Sequence, residues 1–144
     1  MRLLDATVFI YAYYKPKREL TQREKQMKEQ AKKIIGNVSQ GKEEIMMTVV
    51  HLSKVVNILK HGMPLERLTG VILDMFMLDN VKIQGVSGES YFAATELVDV
   101  LKIDPNDALA IDVMRLNNIT EIYSFDEDFE GIGGISRLPK LERE

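Results

Sequence analysis

The apolar run RLL at residues 2–4 stops at Asp5, and VFIYAYY carries the hydrophobic pattern on toward Pro16. The first piece reads as a short buried strand ending at Asp5, the second as a short helix. From residue 21 to 40, Met27, Ala31, Ile34 and Val38 recur at helical spacing and form one apolar stripe, with Lys25, Lys28 and Lys32 in a second stripe beside it. Thr21 followed by Glu24 fits a capping box at the start of that helix, and Gly41 ends it. EIMMTVV reads as a buried strand. The next helix covers residues 51–60 and places Lys54 in its first turn, where the partial positive charge of a helix N-terminus disfavours a cation. HGMP breaks this helix, and Pro64 suits the first turn of another that reaches residue 78.

NVKIQGV predicts a third strand, and residues 87–101 a helix with Glu89 and Ser90 near its start. In DPNDALAIDVMRLNN, Asp104 is a good N-cap, Pro105 a good first helical residue, and Asp107 falls at the third helical position. EIYSF is a fourth strand, and GISRL a fifth after the loop DEDFEGIG. There is no internal repeat, low-complexity segment or linker. The expectation is one α/β domain over residues 1–144 with a mainly parallel sheet.

That topology brings distant acids together. Sites in such sheets lie beyond the carboxyl ends of the strands. Asp5 ends the first strand, Asp126 and Asp128 follow the fourth, and Asp107 starts a helix that begins near the same edge. Carboxylates so gathered repel one another unless a cation intervenes. A divalent ion removes the repulsion, activates water and stabilises charge on a phosphoryl group. Each acid also has a plainer reading. Asp5 would cap a turn, Asp107 would be a first-turn acid favoured by the helix dipole, and Asp126 and Asp128 would be ordinary turn residues.

Composition narrows the chemistry. Of the residues, 45% are hydrophobic and 28% charged, as in an ordinary globular domain. The absence of cysteine removes disulfides, thiolate zinc sites and cysteine nucleophiles, and two histidines cannot furnish a histidine-rich metal site. An oxygen-bound metal remains, which means Mg2+ or Mn2+. His51 and Ser53, two residues apart, would not face each other on a helix, which argues against a hydrolytic pair. GIGG lacks the following Lys-Ser or Lys-Thr of a P-loop and reads as a turn, and the eight methionines read as core filler. Residues 15–33 carry eight basic side chains against three acidic ones on a chain of net charge −3. That segment suits a polyanion partner or a solvated helix face. With no signal-peptide pattern and no membrane-length apolar run, the expectation is a soluble, cytoplasmic protein with no membrane association.

With these residues placed, the sequence resembles the PIN-domain family of small metal-dependent nucleases. The likeness spans nearly the whole chain through LLDATVFIYA, VVHLSKVVNIL, NDALAI and SFDEDF, in that order. It is strongest to the short single-domain members, which include VapC-type toxin ribonucleases and related archaeal proteins. The resemblance implies a three-layer α/β/α sandwich with a mainly parallel central sheet, and Mg2+- or Mn2+-dependent hydrolysis of phosphodiester bonds, usually in RNA. It implies metal ligation by Asp5, Asp107 and Asp126, an auxiliary acid at Asp128, and small polar residues at Thr7 and Ser124. An antitoxin protein and a homodimer formed by exposed apolar residues after position 51 are the partners it suggests. Lys25, Lys28 and Lys32 would guide RNA. One position departs from the family pattern: Lys54 stands where a glutamate is usual.

The first reading is therefore a metal-dependent ribonuclease. The second is a catalytically impaired PIN fold that binds RNA or protein, with the Lys54 ammonium neutralising the acids in place of a metal. A Lys54 that snorkels to solvent from a weakened site is the plainer version of the same departure. A phosphatase would want a second acid two residues after Asp5, where Thr7 stands.

Overall fold

The computed structural model describes residues 1–141. Its five strands are β1 (Arg2–Leu4), β2 (Ile45–Thr48), β3 (Val81–Gln84), β4 (Glu121–Tyr123) and β5 (Ser136–Leu138). They form one sheet in the order β3-β2-β1-β4-β5, and every pairing is parallel. Seven helices connect them: α1 (Ala6–Tyr13), α2 (Gln22–Ser39), α3 (Val49–Leu59), α4 (Leu65–Met77), α5 (Gly88–Thr95), α6 (Val98–Leu101) and α7 (Pro105–Leu116).

The strand order dictates the layers. From β1 to β2 to β3 the chain steps one way across the sheet, and from β3 to β4 it steps back past β1. Parallel crossovers are right-handed, so reversing direction moves the connecting helices to the other face. Accordingly α1 to α4 share one apolar cluster, and α5 and α7 the other. Strand residues alternate between the clusters. Met46, Leu3 and Ile122 form a row facing α7, while Ile45, Met47, Leu4 and Tyr123 face the first cluster. Strands covered on both faces need apolar side chains at successive positions, which is why RLL and IMMT show no polar alternation.

Local chemistry sets the ends of the helices. Thr21 and Glu24 form the expected capping box. At the other end of α2, Gly41 adopts φ +74°, and the amides of Gly41 and Lys42 reach back to Val38 O and Asn37 O. That is the left-handed turn a glycine permits without steric cost. The α2 stripe is buried as expected, with Ile35 added.

Three expectations are corrected here. The second strand stops at Thr48, not at residue 50, because the Thr48 side chain accepts the His51 amide and starts α3 at Val49. Lys54 is therefore the sixth residue of α3, in its second turn and past the first turn where the helix dipole acts most strongly. The helix expected over residues 87–101 is two helices, with Glu96 and Leu97 between them. Pro64 is the N-cap of α4 and lies just outside the helix. Among the described residues no helix is long and apolar enough to cross a membrane.

Candidate metal centre

The direction of the chain reverses between β1 and β4, and the crevice at the carboxyl ends of these two strands is where such folds place their sites. Asp5 follows β1 there, only 2% exposed. It occupies the N-cap position of α1, yet its side chain caps nothing. Its Oδ2 accepts hydrogen bonds from Thr7 Oγ1 at 2.8 Å and from Ser124 Oγ at 2.7 Å. Each hydroxyl has one hydrogen, so both are spent on Asp5. Their lone pairs take the amides of Phe125 and Asp126, at 3.0 Å each. The 3.3 Å approach of the two hydroxyls is then a contact without a hydrogen between them. Asp5 Oδ1 is buried and has no hydrogen-bond partner.

Asp107 arrives from the opposite layer. Asp104 caps α7 by accepting the Asp107 amide at 2.9 Å, and Pro105 is the first helical residue, as the sequence predicts. The Asp107 side chain is also buried, with Oδ2 unpartnered. Burial raises its pKa to about 8, and the nearby charges of Asp104, Asp126 and Asp5 push the same way. Lys54 opposes the rise and is outweighed. Asp126 caps the 3-10 turn Glu127–Phe129 by accepting the Asp128 amide at 2.9 Å, so its turn role is real. It is not the whole role. One carboxylate oxygen from each of Asp107, Asp126 and Asp128 lies within 4.8 Å of the others. Asp128, expected as an auxiliary, stands inside this trio, whereas Asp5, expected as a ligand, is not one of the three; it is tied to Asp126 through Ser124, and its charge acts on Asp107.

Lys54 lines a surface cleft with Val49, Val50, Ser53, Asn57 and Asn106. Asn106 adjoins Asp107, and the Lys54 charge is close enough to act on the Asp107 carboxyl. Among the described residues, however, no ion pair within 4.0 Å includes Lys54. Glu43 and Glu44 lie before β2, at the opposite end of the strands, and Glu43 is bonded to Arg2 at 2.6 Å.

The PIN domain family matches residues 2–135 of this sequence. The chain belongs to the PIN domain family. Two solved structures have the same fold. The toxin VapC20 of Mycobacterium tuberculosis, described as cleaving the sarcin-ricin loop, aligns with a TM-score of 0.68 at 18% identity, over 92% of this chain and 95% of that one. A toxin-antitoxin complex from Klebsiella pneumoniae aligns with a TM-score of 0.64 at 15% identity, over 94% and 96%. No curated protein sequence matches the chain.

In this PIN domain the donor set suits a hard divalent cation. All candidate ligands are carboxylate oxygens, and two are buried with nothing to bond. The basic stripe is less uniform than its sequence suggests. Lys25 and Lys32 are exposed, whereas Lys28 Nζ donates to Tyr14 O at 3.0 Å and Tyr11 O at 3.3 Å, closing the C-terminal end of α1. Lys28 thus also closes the end of α1, a role that Lys25 and Lys32 do not share. Sequence reasoning also passed over Asn106 and the environment of His51. A histidine among Thr48, Val50 and Leu52 was the available signal.

Proposed function

We propose that this PIN domain, acting as one domain over residues 1–144 in the cytoplasm, is a ribonuclease. It would hydrolyse RNA phosphodiester bonds with Mg2+ or Mn2+. Asp5, Asp107 and Asp126 would hold the ion, directly or through water, and Asp128 would complete the acidic edge. When bound, the ion supplies Lewis-acid polarisation of the phosphoryl group and activation of water. The chain's own residues prepare this. Thr7 and Ser124 occupy one oxygen of Asp5 and leave the other free. Asp107, with its pKa raised to about 8, would have to give up its proton to serve as a ligand.

One observation carries the reading: Asp5 Oδ1 and Asp107 Oδ2 are buried at the same sheet edge with no hydrogen-bond partner. A buried unpaired carboxylate oxygen costs on the order of a few kcal/mol, and a divalent ion offsets that cost. The direct test is cleavage of a mixed RNA pool in Mn2+, with Asp5→Asn and Asp126→Asn as controls. Activity that survives both changes belongs to a contaminant or to another site.

The second reading is a catalytically impaired binding module, and the presence of Lys54 at the cleft favours it. Calorimetric titration separates the two. Mn2+ uptake by Lys54→Glu but not by the native chain supports the module. As partners we propose RNA, an antitoxin protein, and a second copy of the chain meeting the exposed Leu73, Phe76 and Met77 of α4 and Phe92 of α5. Light scattering tests the last of these; a monomer at high concentration rejects it.

A further inference from the structure

His51 is 2% exposed and takes no part in the acidic site described above. Its ring has two polar neighbours. Nε2 lies 3.1 Å from the backbone oxygen of Asn106, and Nδ1 lies 2.6 Å from Thr48 Oγ1. A carbonyl oxygen only accepts, so Nε2 carries the hydrogen and donates it. Nδ1 is then a bare acceptor, and the Thr48 hydroxyl donates to it. The same hydroxyl oxygen accepts the His51 amide at 3.1 Å. Donors and acceptors of the pair are matched with the imidazole neutral and its hydrogen on Nε2. Burial lowers the pKa of this histidine, in keeping with that assignment.

The bond crosses the molecule. His51 belongs to α3, in the layer on one face of the sheet, and Asn106 lies in the first turn of α7, on the other. Asn106 is gripped a second time, by Tyr91 of α5, whose hydroxyl donates to Asn106 Oδ1 at 2.6 Å. Both the main chain and the side chain of Asn106 are therefore fixed from other elements. The next residue is Asp107.

We propose that His51 is a positioning residue that sets Asp107 through the Asn106 carbonyl, with Tyr91 as the second jaw of the clamp. The part concerning metal rests on the reading of Asp107 as a ligand; the clamp itself does not. A carboxylate with an unpartnered oxygen has no hydrogen bond of its own at that atom to hold it. Its place depends on the first turn of α7, and that turn is held by Asp104 locally and by the clamp from outside. Outer residues of this kind change metal affinity about 10–100-fold when lost.

The test uses the full chain and the pair His51→Asn and His51→Gln. Both remove the ring. Gln extends an N–H to the place of Nε2 and can still reach the Asn106 carbonyl, while Asn reaches only the Thr48 side. Two quantities are read: amide hydrogen exchange at Asp107 and Ala108 without metal, and Mn2+ affinity by calorimetry. The expected result is exchange about tenfold faster and Mn2+ binding about 10–100-fold weaker in His51→Asn, with both restored to within about threefold in His51→Gln. Tyr91→Phe keeps the ring and the histidine, and shifts both quantities a few-fold in the same direction. Equal behaviour of Asn and Gln, or a Tyr91→Phe chain indistinguishable from native, overturns the proposal. If the native chain takes up no Mn2+, the metal reading falls, and the exchange comparison alone decides the clamp.

Discussion

Ser124 donates a 2.7 Å hydrogen bond to Asp5 across 119 residues of sequence. It joins the ends of β1 and β4 at the place where the fold changes direction. The same Ser124 oxygen accepts the Asp126 amide, so one hydroxyl fixes two of the acids at the candidate centre. Thr7 repeats the device with Asp5 and Phe125.

Ser124→Ala should therefore leave Asp5 short of a donor and the Asp126 amide without an acceptor. Each buried unsatisfied group costs about 1–3 kcal/mol. The expected outcome in urea denaturation is a loss of stability in that range, with Thr7→Val costing a similar amount.

The Asp107 carboxyl makes the metal-free protein pH-sensitive. Its folded pKa, about 8, lies well above the ordinary 3.8. The folded state thus binds more protons than the unfolded state between these values, and stability falls as pH rises from about 4 through about 8. The loss should be on the order of a few kcal/mol. Asp107→Asn should flatten the slope and leave the variant more stable than the native chain at pH 8, as read by thermal unfolding across pH in chelator.

Lys28 bonds the last carbonyls of α1, whereas Lys25 and Lys32 lie exposed. Lys28→Met should lower stability by roughly 1 kcal/mol, and the same change at Lys25 or Lys32 should be nearly neutral. If Lys28→Met were equally neutral in a melting curve, its capping role would be disproved.

Lys54→Glu exchanges a cation for an anion at the margin of the acidic cleft, a change of two charge units. At an effective dielectric typical of a protein surface this should strengthen Mn2+ binding about tenfold or more. Unchanged affinity would mean that Lys54 extends to solvent and does not act on the site.

Much of this was legible in the sequence because strong local signals agreed with the fold. Asp5 stops an apolar strand, Asp104-Pro105 starts a helix, and Asp126 follows EIYSF; each lies where expected. The pattern starts α3 two residues late, and so puts Lys54 in the first turn, because Val49 and Val50 are β-branched and read as strand. The Thr48 cap overrides that propensity, and a threonine at a strand end gives no sign of which role it takes. The second role of Lys28 is hidden for another reason. Periodicity puts Lys28 beside Lys25 and Lys32 but cannot say that the end of α1 docks against it. His51 was invisible as a clamp because its partner is a backbone oxygen 55 residues away.

The proposed divalent-cation site is built from the buried carboxylates of Asp5 and Asp107 with Asp126 beside them. Titration of the native chain with Mn2+ at pH 7, in buffers of different ionisation enthalpy, tests it most directly. Saturable uptake with release of close to one proton is expected, both lost in Asp107→Asn. Absence of uptake by the native chain, or uptake that Asp107→Asn leaves unchanged, would contradict it.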